Sequence, residues 1–95
     1  MPRPLTIVAD DYGIGRDTSR GILELAREGR VTAAVLIVNC DDAELAVRDW
    51  QATRPDADLG WHPNLTLDRP VSPASAVPSL VRPDGSFWPL GCWGY

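Results

Sequence analysis

At 95 residues the chain is the length of one domain, and 44% hydrophobic with 23% charged residues is the make-up of a folded globular protein rather than a disordered one. A net charge of −4, with nine basic residues that are all Arg and no Lys, lacks the clustered positive field that binding to nucleic acid requires. No apolar run reaches the roughly 20 residues of a membrane span, and Met1 to Pro4 lack the apolar core of a secretory leader, so a cytoplasmic protein with Cys40 and Cys92 as free thiols is expected.

Leu5 to Ala9 form a short apolar run that stops at Asp10-Asp11, which predicts a buried strand. Gly13 and Gly15 loosen the connection that follows, and Asp17 or Thr18 is placed to cap a first helix. That helix carries Ile22, Leu23, Leu25 and Ala26 toward one side and ends at Gly29, where a left-handed residue stops it. Val31 to Val38, nearly all apolar and partly β-branched, predicts a second strand covered on both faces.

Asp41 and Asp42 suit the positive end of a second helix, whose Ala43, Ala46, Val47 and Trp50 fall at i, i+3, i+4 and i+7. Pro55 ends it near Arg54. A third strand is expected around Asp58 to Trp61, leading into His62. The order β-α-β-α-β is that of an α/β fold with a parallel sheet.

From residue 63 to residue 95 the chain reads as a segment of loop and hairpin, the later part of a single partial domain over residues 1–95. Ser79 to Val81 and Ser86 to Trp88 can pair across Pro83-Asp84-Gly85, a sound turn sequence. The end, from Phe87 to Tyr95, is rich in large aromatics.

In parallel α/β folds functional groups gather at the carboxyl ends of the strands. Here those ends carry Asp10-Asp11, Asn39 and His62. Adjacent carboxylates repel unless a cation relieves them, and Asp with His is a partial ligand set for a catalytic divalent metal. One acid can ligate while the other takes a proton from water. Neighbouring side chains on a strand point to opposite faces, so the strand must end or bend here for both acids to reach one site.

Each residue alone has a plainer explanation. Adjacent acids cap helices or solvate loops, a lone His is commonly structural, and Asn39 suits a turn. Trp61, Phe87 and Trp88 could line a sugar site, but core packing is the simpler role. Their joint placement at one rim is what favours a metal site.

Ala9-Asp10-Asp11-Tyr12-Gly13 resembles the strand-end motif of the YdjC-like carbohydrate deacetylases, the family that includes chitooligosaccharide and hopanoid-biosynthesis deacetylases. Gly21 to Glu24, Gly29 to Thr32 and Leu36 to Asn39 are similar to its next blocks. Gly60-Trp61-His62-Pro63-Asn64-Leu65-Thr66 resembles its G-x-H-x-N-L-T segment, and Ser79 to Val81 with Asp84 to Phe87 its following hairpin. The ordered set runs from about Leu5 to Gly91.

The resemblance implies the N-terminal β-α-β-α-β part of a (β/α)-barrel-like hydrolase that deacetylates N-acetylated mono- or oligosaccharides. It implies Asp10 as the catalytic base and Asp11 with His62 as ligands of a divalent metal, Mg²⁺ or Zn²⁺. Asn39, Trp61 and Asn64 are then candidates to meet the sugar. The family's further metal-binding His has no counterpart, because His62 is the sole His, and a full barrel needs about 250 residues. Cys92 to Tyr95 do not resemble the family's continuation and read as an early end, so weak or absent catalysis by this chain alone is expected.

Two other readings compete. A phosphoacceptor receiver domain needs an Asp after its third strand and a Lys after its last, where this chain offers His62 and no Lys. A non-catalytic fragment or interaction protein would keep the fold's first third, and an apolar tail with an open sheet edge favours association with another chain or a second copy.

Overall fold

A computed structural model of the chain describes residues 2–92, which form two compact units, residues 2–62 and 63–92. In the first unit the elements are β1 (Val8–Tyr12), α1 (Arg16–Arg27), β2 (Ala33–Leu36), α2 (Ala43–Thr53) and β3 (Asp58–Trp61). The three strands form one parallel sheet in the order β1-β2-β3. This order disagrees with a receiver domain, whose first strand lies between the second and third.

One apolar cluster joins all five elements. Tyr12, Ile22, Ala26, Val31, Ala34, Ala46 and Trp50 are buried in it, with Ala9, Leu23, Leu36, Ala57 and Leu59 packed against them. The expected stripe on α2 is present, since Ala43, Ala46 and Trp50 are buried and Val47 is half-buried. The Trp50 ring meets Tyr12 edge-on at 5.3 Å. On α1, Ser19, Ile22 and Ala26 face inward, while Leu25 is exposed, contrary to expectation.

Helix α1 starts at Arg16 and has Gly15 as its N-cap without a side-chain bond, so neither Asp17 nor Thr18 caps it. Asp17 lies in the first turn, where a negative charge complements the dipole. At the other end Gly29 has φ 71, its N–H donates to the Ala26 carbonyl, and the Arg30 N–H donates to Leu25. These two bonds satisfy carbonyls that the helix itself leaves open. Asp42 is the N-cap of α2, also without a side-chain bond, and Arg54 ends that helix in a left-handed conformation before Pro55.

The first strand differs most from expectation. It spans Val8–Tyr12, so both acids lie within it rather than after it. Ala9 pairs with Ala34 and Tyr12 with Leu36, so three steps on β1 oppose two on β2. One residue is therefore extra, and Asp11 takes up the bulge with φ 68. The bulge returns Tyr12 to the face used by Ala9, which strict alternation would forbid. β2 is shorter than expected and covered mainly on its helix side, with Ala34 buried and Ala33 and Val35 only half-buried.

The second unit contains two short 3₁₀ turns, Ala74–Ala76 and Leu90–Cys92. The expected hairpin is reduced to a single antiparallel bridge between Val81 and Phe87. Its turn is closed by the Gly85 N–H donating to the Arg82 carbonyl at 2.9 Å. Asp84 Oδ1 accepts from the N–H and hydroxyl of Ser86, and these bonds hold its carboxyl below the usual range. Both cysteines are thiols, Cys40 buried and Cys92 exposed. The aromatic end at Trp93 and Tyr95 lies outside the described residues. Among those described, no helix is long and apolar enough to cross a membrane.

Candidate metal site

The carboxyl ends of β1, β2 and β3 form one rim. The Ile37 N–H donates to the Tyr12 carbonyl at 2.9 Å and the His62 N–H to the Leu36 carbonyl at 2.8 Å, so pairing continues to that rim. The turn after β1 is held by the Gly13 N–H donating to Ser19 Oγ at 2.9 Å and the Ile14 N–H donating to the Asp11 carbonyl at 3.2 Å.

Within this frame Asp11 Oδ1 stands 3.3 Å from His62 Nδ1. The contact is short enough for an ion pair, but it is not a hydrogen bond. Nδ1 is shielded from solvent and has no hydrogen-bond partner among the described residues. The rest of the imidazole is about one-third exposed (34%) and the Asp11 side chain about half (48%). A buried nitrogen without a partner costs on the order of 1–3 kcal/mol unless a ligand satisfies it. Two donor atoms on one metal, each at about 2.0–2.2 Å, stand roughly 3 Å apart. The pair therefore fits a divalent cation in donor type and spacing.

It is not a complete shell. Among the described residues no third His, Cys, Asp or Glu joins the two, so Asp10 is not a third donor. Asp10 is exposed, one position earlier on β1. Asn39 is half-buried in the turn after β2. Trp61 is 67% exposed, so the expectation of core packing does not hold. Phe87 is buried within the described part of the chain, whereas Trp88 is partly exposed.

Asn64 lies in the second unit. Its Nδ2 donates to the Leu67 carbonyl, and its Oδ1 accepts from the N–H groups of Thr66 and Leu67. Ser19 was not singled out from sequence, since a Ser on a helix reads as solvent-facing. Its signal is that it lies one turn before Ile22 and two before Ala26, on the buried stripe.

Known proteins of several kinds are similar to this chain. The family model described as YdjC-like protein matches residues 4–94. A carbohydrate deacetylase of Geobacillus stearothermophilus is 40% identical over 87 residues, which are 92% of this chain and 34% of that protein. A chitooligosaccharide deacetylase of Klebsiella pneumoniae is 38% identical over 93 residues, 98% of this chain and 34% of the relative. A crystal structure of a proposed cellobiose-phosphate cleavage protein from Enterococcus faecalis superimposes with a TM-score of 0.85 at 31% identity, covering 93% of this chain and 34% of the other. The chain thus spans about a third of the length of the relatives it matches.

Proposed function

This chain belongs to the YdjC-like protein family, and from that membership we propose that its rim is the N-terminal share of a metal-dependent deacetylase site for N-acetylated sugars. The observation that carries this reading is the buried, partnerless His62 Nδ1 facing Asp11 Oδ1 at 3.3 Å. Asp11 and His62 would hold a divalent metal, Mg²⁺ or Zn²⁺. Bound there, the metal supplies Lewis acidity toward the acetyl carbonyl and makes water a stronger acid. Asp10, exposed beside Asp11, accepts the proton that the water gives up as it attacks the amide. The C–N bond then breaks as the leaving nitrogen takes a proton from solvent, releasing acetate and a free amine on the sugar.

Trp61, exposed one residue before His62, offers an aromatic face to the apolar side of a sugar ring. Asn39 is the second candidate at this rim, while Asn64 shapes the loop after His62 by its own turn bonds. The names of the deacetylase relatives support the acetamido sugar as substrate.

The test is a thermal melt in chelator and then in excess Mg²⁺ or Zn²⁺, on the wild type and on His62→Ala. A cation at 100 times its dissociation constant adds about 2.7 kcal/mol to a native state that alone binds it. A melt raised in the wild type and unmoved in His62→Ala supports the site; no metal response in the wild type refutes it. With two donors among the described residues, acetate release from N-acetylglucosamine oligomers is expected well below the rate of a complete enzyme.

A second reading, a non-catalytic piece that associates with another chain, is favoured by the two-donor shell and by the outer edge of β3, which no described strand covers. Light scattering that finds a monomer at low micromolar concentration counts against it.

A further inference from the structure

Asp11 occupies left-handed backbone, φ 68, which is costly for a non-glycine residue, though less so for Asp than for most, and which its surroundings here hold in place. Before it, Val8 and Ala9 are fixed by regular pairing with Ala33 and Ala34. After it, the Tyr12 ring is fully buried and its hydroxyl donates to the Ala46 carbonyl at 2.6 Å. The next peptide is held by one side chain, that of Ser19, whose Oγ accepts from the Gly13 N–H at 2.9 Å.

Ser19 is itself unusual. It is the one buried polar residue among those described. It sits inside α1, where Ala would be the better helix former, and its own N–H is already used by the Gly15 carbonyl. Helix formation therefore does not explain the hydroxyl, but the Gly13 amide does. Without it a buried N–H would lack a partner, and the turn that carries Asp11 would be free to relax.

We propose that Ser19 is a positioning residue for the Asp11 carboxylate, holding the β1 bulge in the conformation that sets Asp11 against His62. The assignment rests on the metal reading of that pair. Partners that orient metal ligands without touching the metal are worth roughly 10–100-fold in affinity when removed. Ser19 acts one step further back, through the backbone rather than through the carboxylate itself.

The experiment compares Ser19→Thr with Ser19→Val, side chains of nearly the same shape that differ by the hydroxyl. Affinity is read by calorimetric titration with whichever of Mg²⁺ and Zn²⁺ stabilises the wild type. Ser19→Val should bind about 10-fold or more weakly than Ser19→Thr, and equal affinities overturn the proposal. Ile22→Val serves as the control, because it weakens the same helix contact while leaving the turn bond in place. It should keep wild-type affinity.

Should either Ser19 variant not fold, the wild type decides alone. By linkage, a bond that favours ligation must itself be favoured by the bound cation. The Gly13 amide should exchange more slowly with metal than without, and unchanged exchange overturns the assignment. Loss of the metal reading looks different, since the wild type would then show no binding at all.

Discussion

Asp11 Oδ1 and His62 Nδ1 come within 3.3 Å although β2 lies between their strands. Two inter-strand spacings of about 4.8 Å separate β1 from β3, so neither side chain could reach the other straight across the sheet. They meet because β2 ends at Leu36, and both lean over its carboxyl end. The bulge at Asp11 makes this reach available on one side, and the exit of β3 into His62 supplies it on the other.

The left-handed backbone of Asp11 separates its structural cost from its chemical use. Without metal, Asp11→Gly should be more stable than Asp11→Ala by about 1–2 kcal/mol, because only Gly adopts that conformation without a steric penalty. Neither variant should gain stability on adding Mg²⁺ or Zn²⁺, since both lack the carboxylate. Denaturant melts of the pair with and without metal check this. Equal stabilities would show that the bulge is not kept in solution, and a retained metal response would remove Asp11 from the ligand set.

Gly13 and Gly29 both have positive φ, 92 and 71, but their surroundings differ. A Cβ at Gly13 would lie 2.8 Å from Leu36 Cδ1, 3.2 Å from Ala43 Cα and 3.3 Å from the Ile37 carbonyl oxygen. The Leu36 methyl could rotate away, whereas the two backbone atoms could not. A Cβ at Gly29 meets nothing within 4 Å. Gly13→Ala is therefore expected to cost about 2–4 kcal/mol, strain plus overpacking, and Gly29→Ala roughly 1 kcal/mol, strain alone. Unfolding curves of the two variants measure the difference, and similar costs would mean that the space around Gly13 is not tight.

These same residues mark what the sequence makes legible. The α2 stripe follows from spacing alone, because Ala43, Ala46 and Trp50 repeat at the helical period and have one face to fill. The stop at Gly29 is equally local, since its conformation belongs to the residue type. The expected strand stops at Ala9 because two adjacent acids look like the end of a buried run. Only pairing with Leu36 reveals that the strand passes through them to Tyr12. A bulge on an Asp has no signature in the chain, and a single bond from Ser19 has none either. Trp61 falls on the face of Leu59 by alternation, yet it is the last residue of β3 and extends past the cluster that covers Ala57 and Leu59. Period describes which way a side chain points, not how far the opposing layer extends.

Tyr12 supplies a pH-dependent prediction. Its ring is fully buried, and its ionisation is pushed up to about 12, first by burial and then by the negative charges of Asp49 and Asp42. The unfolded phenol titrates near 10. Between these values the unfolded chain loses a proton that the native chain keeps, so the unfolded state gains and stability falls as pH rises. The contribution is whole below pH 10 and is lost toward pH 12, on the order of 2 kcal/mol across the window. With no Lys in the sequence, no side-chain ammonium titrates across this limb. Tyr12→Phe removes the proton and also the bond to the Ala46 carbonyl, which costs about 1 kcal/mol at neutral pH. The variant should therefore start lower at pH 7 and stay flatter from pH 10 to 12, so that the two curves cross within that range. Urea midpoints taken at half-unit steps through that range would test it, and parallel curves would show that Tyr12 is not the group being titrated.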